Sequence, residues 1–359
     1  MDFKKIAISV VTIGFIGSLS FASTANAESS TLEWDGFVDV YYAYDFNEPS
    51  DSDRSFTTSP ARHNEFNLNL AHIGVTYTDE TVRARLALQV GTSVEANYTT
   101  EPLKGQFSNE DMVKHIQEAY VGTKIGENTW IDAGIFFSHI GLESFKSLDN
   151  MTYTRSLVAD FSPYYQAGVR LHHDFSDKLS GELLILNGWQ IVTDDNSDKA
   201  LGTKLSYAFT DDTSLSYSTF VGREAEFRHF HDLVLVTKLT DVWNIAVQAD
   251  IGFQKKSNSS RNSSWYGATL ISNYILNEKT TVSNRFEVYW DKDQVIVSSG
   301  TGDGFKVWSG SVGVDRRLND RTVWRNEFRY FSSQDEIYPR DINFTKDSSL
   351  LVSSISVTL

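Results

Sequence analysis

The stretch "YTDETVRARLALQVG", residues 77–91, passes from a short polar turn into strict alternation of apolar and polar side chains. On one parity lie Val82, Ala84, Leu86, Leu88 and Val90, and on the other lie Arg83, Arg85, Ala87 and Gln89. Successive side chains of a β-strand point to opposite faces, so the pattern predicts a strand with one apolar face and two arginines on the other. Such a strand needs an apolar environment on one side and water on the other.

The polar turn at the start of this stretch recurs along the chain. Seven copies begin at residues 77, 125, 175, 209, 239, 276 and 318, among them "FTDDTS" and "LNDRTV". Each sets a bulky apolar residue before residues that bend the backbone into a hairpin at little cost. The intervals between copies range from 30 to 50 residues, whereas solenoids and propellers keep a fixed period. The pattern predicts hairpins with uniform turns at one end and unequal loops at the other.

Sixteen strands are predicted between and beside these turns. Their ranges are 32–46, 64–77, 81–97, 112–125, 129–142, 163–175, 178–191, 198–210, 212–224, 227–240, 242–255, 262–276, 279–294, 303–318, 321–334 and 346–359. Seven short turns alternate with longer connections, notably 47–63, 98–111, 143–162, 295–302 and 335–345. An even strand count with short periplasmic turns and long extracellular loops is typical of outer-membrane barrels. We therefore predict an all-β fold, a transmembrane antiparallel β-barrel of about sixteen strands.

The placement of prolines and tryptophans agrees with this barrel. Four prolines fall in long connections and Pro163 falls where a strand begins, so none removes a ladder hydrogen bond from a strand interior. Tryptophans of membrane barrels collect at the two interfaces with water. Near the short turns lie Trp34, Trp130, Trp243 and Trp324, and near the long loops lie Trp189, Trp265, Trp290 and Trp308. The eight tryptophans therefore predict two girdles.

Composition narrows the class of protein further. The chain has 359 residues and no cysteine, so neither disulfides nor thiolate metal sites are available. Its net charge of −15 argues against nucleic acid as a partner. Residues 1–27 resemble a secretory signal, with Lys4 and Lys5 before an apolar core and "ANA" ending at Ala27. No later apolar run approaches the roughly 20 residues that a spanning helix needs. We expect an exported chain, with residues 28–359 forming a single barrel.

The polar parity of the strands predicts a water-filled interior. Arg83, Arg85, Arg170, Arg285, Arg325 and Arg329 all share a parity with polar neighbours and oppose apolar rows. Charge on a lipid face costs about 2–4 kcal/mol at mid-bilayer, so these residues should face inward. About sixteen strands leave an aqueous channel, whereas a small barrel is filled by its own side chains. Strands 64–77 and 178–191 change parity midway, which suggests bulges.

Several fragments resemble a known family. They are "WDGFVDVYYAYDFNEP", "PARHNEFNLNLAHIGVTY", "GIFFSHIGLES", "SPYYQAGVRLHHDF" and "LLILNGW". Together they resemble the putative β-barrel porin-2 (OmpL-like) family of bacterial outer membranes, over essentially the whole mature chain. The resemblance implies a pore in the outer membrane and supplies no catalytic residues. The chain ends in "SSISVTL" rather than in the phenylalanine common at the end of such barrels, although its alternation is kept.

Residues suited to other chemistry are few. "RHFH" sets His229 and His231 on one strand face, which would suit two metal ligands, but no third ligand follows and lumen-facing or rim histidines remain the alternative. Glu48, Asp51 and Asp53 could bind calcium or form an ordinary acidic loop. No spacing indicates a nucleophile with its base. We predict no catalytic residues, no metal and no cofactor.

The expected function is passive diffusion of ions and small hydrophilic solutes. Connection 143–162 is the candidate constriction, folded inward. It is long and follows the fifth strand, the position from which an inward-folding loop narrows the general sixteen-strand porins that this chain resembles. Its charged residues are Glu143, Asp149, Asp160, Lys146 and Arg155, which could face the six wall arginines across the opening and create a transverse field. The alternative is an ordinary surface loop beside unrelated lumen ion pairs.

Two other functions are open to such a barrel. One is an outer-membrane hydrolase, and the other is a structural or adhesive barrel with a plugged lumen. The expected partners are outer-membrane lipid and lipopolysaccharide, small solutes and ions, and a homotrimer is among the assemblies open to the chain.

Overall fold

The computed structural model describes residues 30–106, 108, 110–256 and 261–359; the predicted signal peptide, residues 1–27, lies outside the described residues. The barrel strands are β1 (Thr31–Asp45), β2 (Phe66–Thr78), β3 (Val82–Val90), β4 (Ile116–Gly126), β5 (Thr129–Phe137), β6 (Tyr165–Ser176), β7 (Leu179–Leu186), β8 (Ala200–Thr210), β9 (Thr213–Arg223), β10 (Phe227–Thr240), β11 (Trp243–Lys255), β12 (Asn262–Asn277), β13 (Thr280–Asp291), β14 (Phe305–Asn319), β15 (Thr322–Ser333) and β18 (Asp347–Thr358). A separate hairpin of β16 (Tyr338–Arg340) and β17 (Asn343–Thr345) stands in the last long connection.

The sixteen strands form one closed antiparallel barrel, which confirms the predicted fold class. β1 closes the barrel by pairing with β18, from Phe37 opposite Thr358 to Asp45 opposite Leu350. Closure matters because a strand in lipid can satisfy its backbone only through neighbouring strands. No helix of the described residues is long and apolar enough to cross a membrane.

Three predicted strands are too long. The segment 81–97 ends as a strand at Val90, because Gly91 adopts a φ of 138° and Thr92–Tyr98 then forms helix α1. Within α1, Val94 and Tyr98 are four residues apart and both buried, so the apolar positions follow a helical spacing. Predicted strands 129–142 and 178–191 end at Phe137 and Leu186, where the chain turns into long connections.

The predicted parity changes have two different causes. In β2 the register shifts opposite Asp39 and Val40, which pair with Leu70 and Leu68, so Asn69 is the extra residue of a bulge. The structure has no bulge within β7 (Leu179–Leu186). There, Leu184 and Leu186 are apolar residues on the inner face and both are completely buried. The prediction of a bulge was therefore right for 64–77 and wrong for 178–191.

The outer face carries the apolar rows, and it explains where the tryptophans lie. The outward tryptophans are exposed: Trp34, Trp243, Trp290, Trp308 and Trp324. Trp130, Trp189 and Trp265 do not belong to the predicted girdles. Trp265 is completely buried on the inner face of β12, Trp130 lies under the inward Arg83, and Trp189 packs against Phe220 and Phe230. Whether a tryptophan faces the lumen or the lipid is decided by its position in the alternation of the strand and not by its distance from a rim.

The interior holds an apolar core at the level of the β5–β6 connection, residues 138–164. Two short elements occur in this connection, a 3-10 turn at Ser147–Asp149 and helix α3 at Leu157–Asp160, while helix α2 (Glu110–Val113) lies between β3 and β4. Leu157 and Val158 belong to a buried cluster with inner-face side chains such as Trp265 and Tyr289. A methyl group at Gly267 would lie 2.7 Å from Val158, so the bare backbone of β12 permits this approach. The connection and the barrel wall thus share one core.

Candidate functional site

The β5–β6 connection is held against one side of the barrel by Arg285 of β13. Its guanidinium Nη1 donates to Thr152 Oγ1 at 2.8 Å and to the Thr154 carbonyl at 2.6 Å, and Nη2 donates to Thr154 Oγ1 at 2.6 Å. Glu327 of β15 accepts from the Thr154 backbone N–H at 2.8 Å. Because charge-assisted hydrogen bonds are the stronger ones, this contact fixes the backbone of the connection at Thr154.

Arg285 also lies 3.2 Å from Glu327, and a second ion pair lies directly beside this one. Glu287 of β13 is 2.6 Å from Arg329 Nη2 and 3.2 Å from Arg285 Nε, so one carboxylate serves two guanidinium groups. The other Glu287 oxygen accepts from the Leu157 backbone N–H at 2.6 Å, and Arg329 Nη1 donates to the Arg155 carbonyl at 2.8 Å. The side chains of Arg285, Glu287 and Arg329 are at most 1% exposed. We call Arg285, Glu287, Glu327 and Arg329 the buried charge cluster.

Arg325 of β15 holds the middle of the connection. Its Nη2 donates to the Asn150 carbonyl at 3.1 Å and lies 2.9 Å from Asp315 of β14, and its Nη1 donates to the Ser147 carbonyl. Ser147 Oγ in turn donates to Asp39 of β1 at 3.0 Å. The 3-10 turn is therefore tied directly to β15 and β1, and Arg325 links it indirectly to Asp315 of β14.

The start of the connection is tied to other strands. His139 lies 2.9 Å from Gln166 Oε1 of β6 and 2.8 Å from the Thr219 carbonyl of β9. The Gly141 N–H donates to Asp232 of β10 at 3.3 Å and the Leu142 N–H donates to Gln248 of β11 at 3.1 Å. Together with the contacts to β1, β13 and β15, these bonds place residues 139–157 across the lumen.

The acidic residues of the connection have three different settings. The side chain of Glu143 is buried, its Oε2 accepts from the Ser156 N–H at 2.9 Å, and Arg285 lies 3.9 Å from its Oε1. Asp160 accepts from Thr58 Oγ1 at 2.6 Å, which joins the first long connection to this one. Burial raises the pKa of both carboxyl groups. Asp149 is exposed and accepts from Ser144 Oγ at 3.1 Å.

Arg155 is used for packing inside the connection. Its guanidinium lies 4.7 Å from the centre of the Phe145 ring and 4.0 Å from that of Tyr164, and Nη1 donates to Thr58 Oγ1 at 3.2 Å. The residue is 1% exposed. Cations over aromatic faces are attracted by the ring quadrupole, so Arg155 stiffens the connection from within.

The remaining wall arginines form a partly exposed charged array on the other side of the barrel. Arg83 and Arg170 share Asp132, at 2.7 and 2.9 Å, and Arg85 bridges Asp35, at 2.7 Å, and Glu118. Their side chains are 25%, 19% and 13% exposed for Arg83, Arg170 and Arg85, whereas Asp132 is completely buried. Lys146 of the connection reaches Asp35 at 3.4 Å. We call these residues the open-side array.

The wall arginines therefore do not act as one set. The expectation that all six line water is wrong for Arg285, Arg325 and Arg329, which are 3%, 1% and 1% exposed beneath the connection. A buried charge needs hydrogen-bonding partners, and the backbone carbonyls of the connection together with neighbouring carboxylates supply them. Arg83, Arg85 and Arg170 keep contact with water.

The alternation in the sequence identified the inward arginines, but the residues that pair with them were not predicted. Asp132, Asp35 and Glu118 sit on inward rows, so the same alternation could have found them. Asp232 and Gln248, which receive the backbone N–H groups of Gly141 and Leu142, carry no signal of that role in the sequence. Such contacts join residues that lie roughly ninety or more positions apart, which a local pattern does not encode.

Two cavities touch opposite parts of the connection. One, of about 210 Å³, is lined by Leu148 and Asn150 and by residues near the short turns such as Lys279 and Arg317. The other, of about 360 Å³, is lined by Asp160–Ser162 and by residues of the long connections. The connection therefore stands between a cavity on the short-turn side and a cavity on the long-connection side.

The candidate metal residues lie elsewhere. His229 and His231 are on the outer face near the long-connection rim, where His231 is 2.6 Å from Tyr217 Oη, so a lumen-facing position is wrong for both. Asp53 pairs with Arg62 at 2.5 Å. In the ranges that the structure describes, no group of three or more histidine, aspartate or glutamate residues is arranged to hold a metal ion.

Apolar outer rows, charged inner rows and a connection across the lumen define an outer-membrane β-barrel of the porin type. Solved structures with this fold include a loop-deletion mutant of OmpT, an outer-membrane protein of Vibrio cholerae, with a TM-score of 0.62, 9% identity, and 92% and 100% coverage of this and that chain. For an anion-selective porin from Comamonas acidovorans the TM-score is 0.59 at 10% identity, with 92% of this chain and 100% of that chain covered. For the outer-membrane channel DcaP of Acinetobacter baumannii the TM-score is 0.59 at 12% identity, with 91% of this chain and 97% of that chain covered.

The sequence itself then gives the family. Residues 31–359 match the family described as "Putative beta-barrel porin-2, OmpL-like", and the chain belongs to it, as its fragments indicated. No curated protein matches the sequence significantly. The protein is therefore a porin-family β-barrel of the bacterial outer membrane.

Proposed function

We propose that this barrel is a passive diffusion channel for ions and small hydrophilic solutes, and that the β5–β6 connection forms its constriction. The observation that carries the proposal is the hydrogen bonding of residues 139–157 to strands around the barrel, between two cavities. A rigid inner segment sets the size limit, and charged side chains beside it set the ion preference. No group in this mechanism has to react.

The path runs, in this proposal, along the open-side array rather than past the buried charge cluster. Arg83, Arg85 and Arg170 keep part of their surface in water, as does Lys146, and carboxylates stand between them. Alternating charges of this kind orient dipolar solutes and moderate the preference for either ion sign.

Single-channel recording tests the proposal. Refolded protein in a planar bilayer should give stable ohmic current steps, and native electrophoresis of the same sample reports whether monomers or trimers conduct. One neighbour, OmpT of Vibrio cholerae, has been solved in a trimer form. Its TM-score is 0.62 at 8% identity, with 92% of this chain and 100% of that chain covered. We therefore include a homotrimer in the proposal. Folded protein that gives no current would contradict a channel.

A plugged structural barrel is the second candidate, and one observation favours it. The buried apolar cluster of the lumen contains Leu157 and Val158 of the connection and inner-face residues from β5 to β15. If that core fills the cross-section of the barrel completely, solutes enclosed in liposomes that carry the folded protein in their membrane should not leak out. Swelling of such liposomes in isotonic arabinose would instead require a passage.

Replacing Arg83 and Arg85 by alanine should shift the channel toward cations. Both side chains are part-exposed, and their removal leaves Asp35 and Glu118 in excess. We expect the cation-to-anion permeability ratio to rise about threefold, a modest share of the tenfold or greater enrichment that charged clefts produce. Reversal potentials in a salt gradient measure the ratio.

Arg321 and Arg340 provide the matched control. Both are exposed at the rims, so the double alanine variant loses the same charge away from the array. Its reversal potential should stay near that of the wild type. An unchanged potential in the Arg83→Ala/Arg85→Ala variant would place the array outside the conducting path.

A further inference from the structure

The cavity on the long-connection side has the composition of a binding site. Its volume of about 360 Å³ falls within the roughly 300–1,000 Å³ usual for small-molecule sites. Its lining combines apolar side chains, among them Ile191, Val295 and Ile296, with Trp189, Glu224 and Arg228.

Arg228 is an inward residue of β10 and is only 7% exposed. Its guanidinium lies 5.0 Å from the centre of the Trp189 ring and 5.6 Å from that of Trp265, and its Nε donates to Gln254 Oε1 at 2.8 Å. The two indoles and Gln254 hold the guanidinium in place. Its Nη1 and Nη2 donate to no residue that the structure describes, and they belong to a side chain that lines the cavity.

The carboxylates near Arg228 accept hydrogen bonds from other groups. Asp291 accepts from the backbone N–H groups of residues 295, 296 and 297 at 2.9, 2.7 and 2.9 Å. Glu224 accepts from the Trp189 N–H at 2.9 Å. Arg228 forms an ion pair with neither, although both act on it through space. Nearly buried guanidinium groups are normally paired, so the free nitrogens of Arg228 indicate an anionic ligand.

We propose that this cavity binds small organic monocarboxylates, with the carboxylate on Arg228 and a planar, apolar body between Trp189 and the side chains of Val295 and Ile296. The guanidinium fork matches a carboxylate in two parallel hydrogen bonds, and the indole supplies a flat face. Glu224 and Asp195 at the same cavity oppose a second negative charge on the ligand. The inference rests on the proposed channel, because it names a class of solute that the mouth would concentrate.

Calorimetry with benzoate tests the site, using refolded full-length protein in detergent micelles. We expect saturable binding with a dissociation constant of about 1 mM, the range that a ligand of this size reaches. Benzamide, which keeps the ring and loses the charge, and phthalate, which adds a second carboxylate, should bind more weakly. Binding of benzamide as tight as that of benzoate would overturn the proposal without any variant.

Variants then place the ligand. Arg228→Gln should weaken benzoate binding about ten- to a hundredfold, the effect of losing charge-assisted hydrogen bonds, and Trp189→Leu should weaken it as well. Arg223→Gln is the matched control, because Arg223 is exposed at the same rim and pairs with Asp198 at 3.2 Å. Equal binding by the wild type and Arg228→Gln would overturn the assignment. Binding in micelles requires no current, so a barrel that binds benzoate but does not conduct would contradict the channel and leave the site intact.

Discussion

Replacing residues 139–163 with a four-residue glycine–serine turn should raise the single-channel conductance about threefold or more, because a sixteen-strand barrel without an inner segment leaves a wide aqueous channel. The fold can tolerate the change. Phe137 and Tyr165 are direct register partners, and Ser138 N–H donates to the Tyr164 carbonyl at 2.9 Å, so a short turn can join β5 to β6. Outer rows and strand pairing are not altered.

The inner wall should also survive the loss of the connection. Arg285, Arg325 and Arg329 would then meet water, and Glu287, Glu327 and Asp315 remain beside them as counter-ions. Solvation lowers the cost of these charges, so we expect the variant to fold with an unchanged strand content by circular dichroism.

The control for this variant changes an exposed segment of another long connection. Replacing residues 194–198, which are largely exposed, by glycine and serine should leave the conductance near the wild-type value. Wild-type conductance in the folded 139–163 variant would show that the connection does not limit the current. A large increase in conductance would also show that the lumen of that variant is not fully plugged.

The second large effect concerns Glu287. Its carboxylate lies 2.6 Å from Arg329 and 3.2 Å from Arg285, and all three side chains are buried. Substitution by glutamine keeps the size and one acceptor for the Leu157 N–H but leaves two guanidinium groups short of a counter-ion. Breaking a buried ion pair in this way costs about 3–5 kcal/mol. Urea unfolding of the barrel in lipid vesicles should show that loss in the free energy of unfolding.

Glu80 supplies the comparison for Glu287. It lies exposed in the turn between β2 and β3, so Glu80→Gln should leave stability within about 0.5 kcal/mol, as surface substitutions usually do. In a double-mutant cycle, Arg329→Gln should cost less in the Glu287→Gln background than alone, since the pair is then already broken. Independent, additive losses would mean that the two side chains do not stabilise each other.

The barrel itself could be predicted from the sequence. Strand pairing in lipid leaves only two faces, and a period of two in residues such as Val82, Leu86 and Arg83 reports them without reference to any distant residue. For the same reason the strand count, the closing strand and the inward arginines could be predicted. Predictions failed where a local signal had two meanings: residues 92–97 continue an apolar pattern, but Gly91 ends the strand and the spacing fits α1.

What occupies the interior was decided only by tertiary structure. Parity sets a side chain inward but does not say whether it meets water, a backbone carbonyl or another ring, because those partners come from strands and connections far along the chain. Arg85 and Arg285 look alike in the sequence, yet one is part-exposed beside Asp35 and the other is buried under Thr152 and Thr154. Trp265 is near a predicted rim in the sequence and buried in the lumen. The sequence thus determined the wall, through a two-residue period that every strand shares, while the contents of the lumen followed from long-range packing and from the pairing of charges that burial requires.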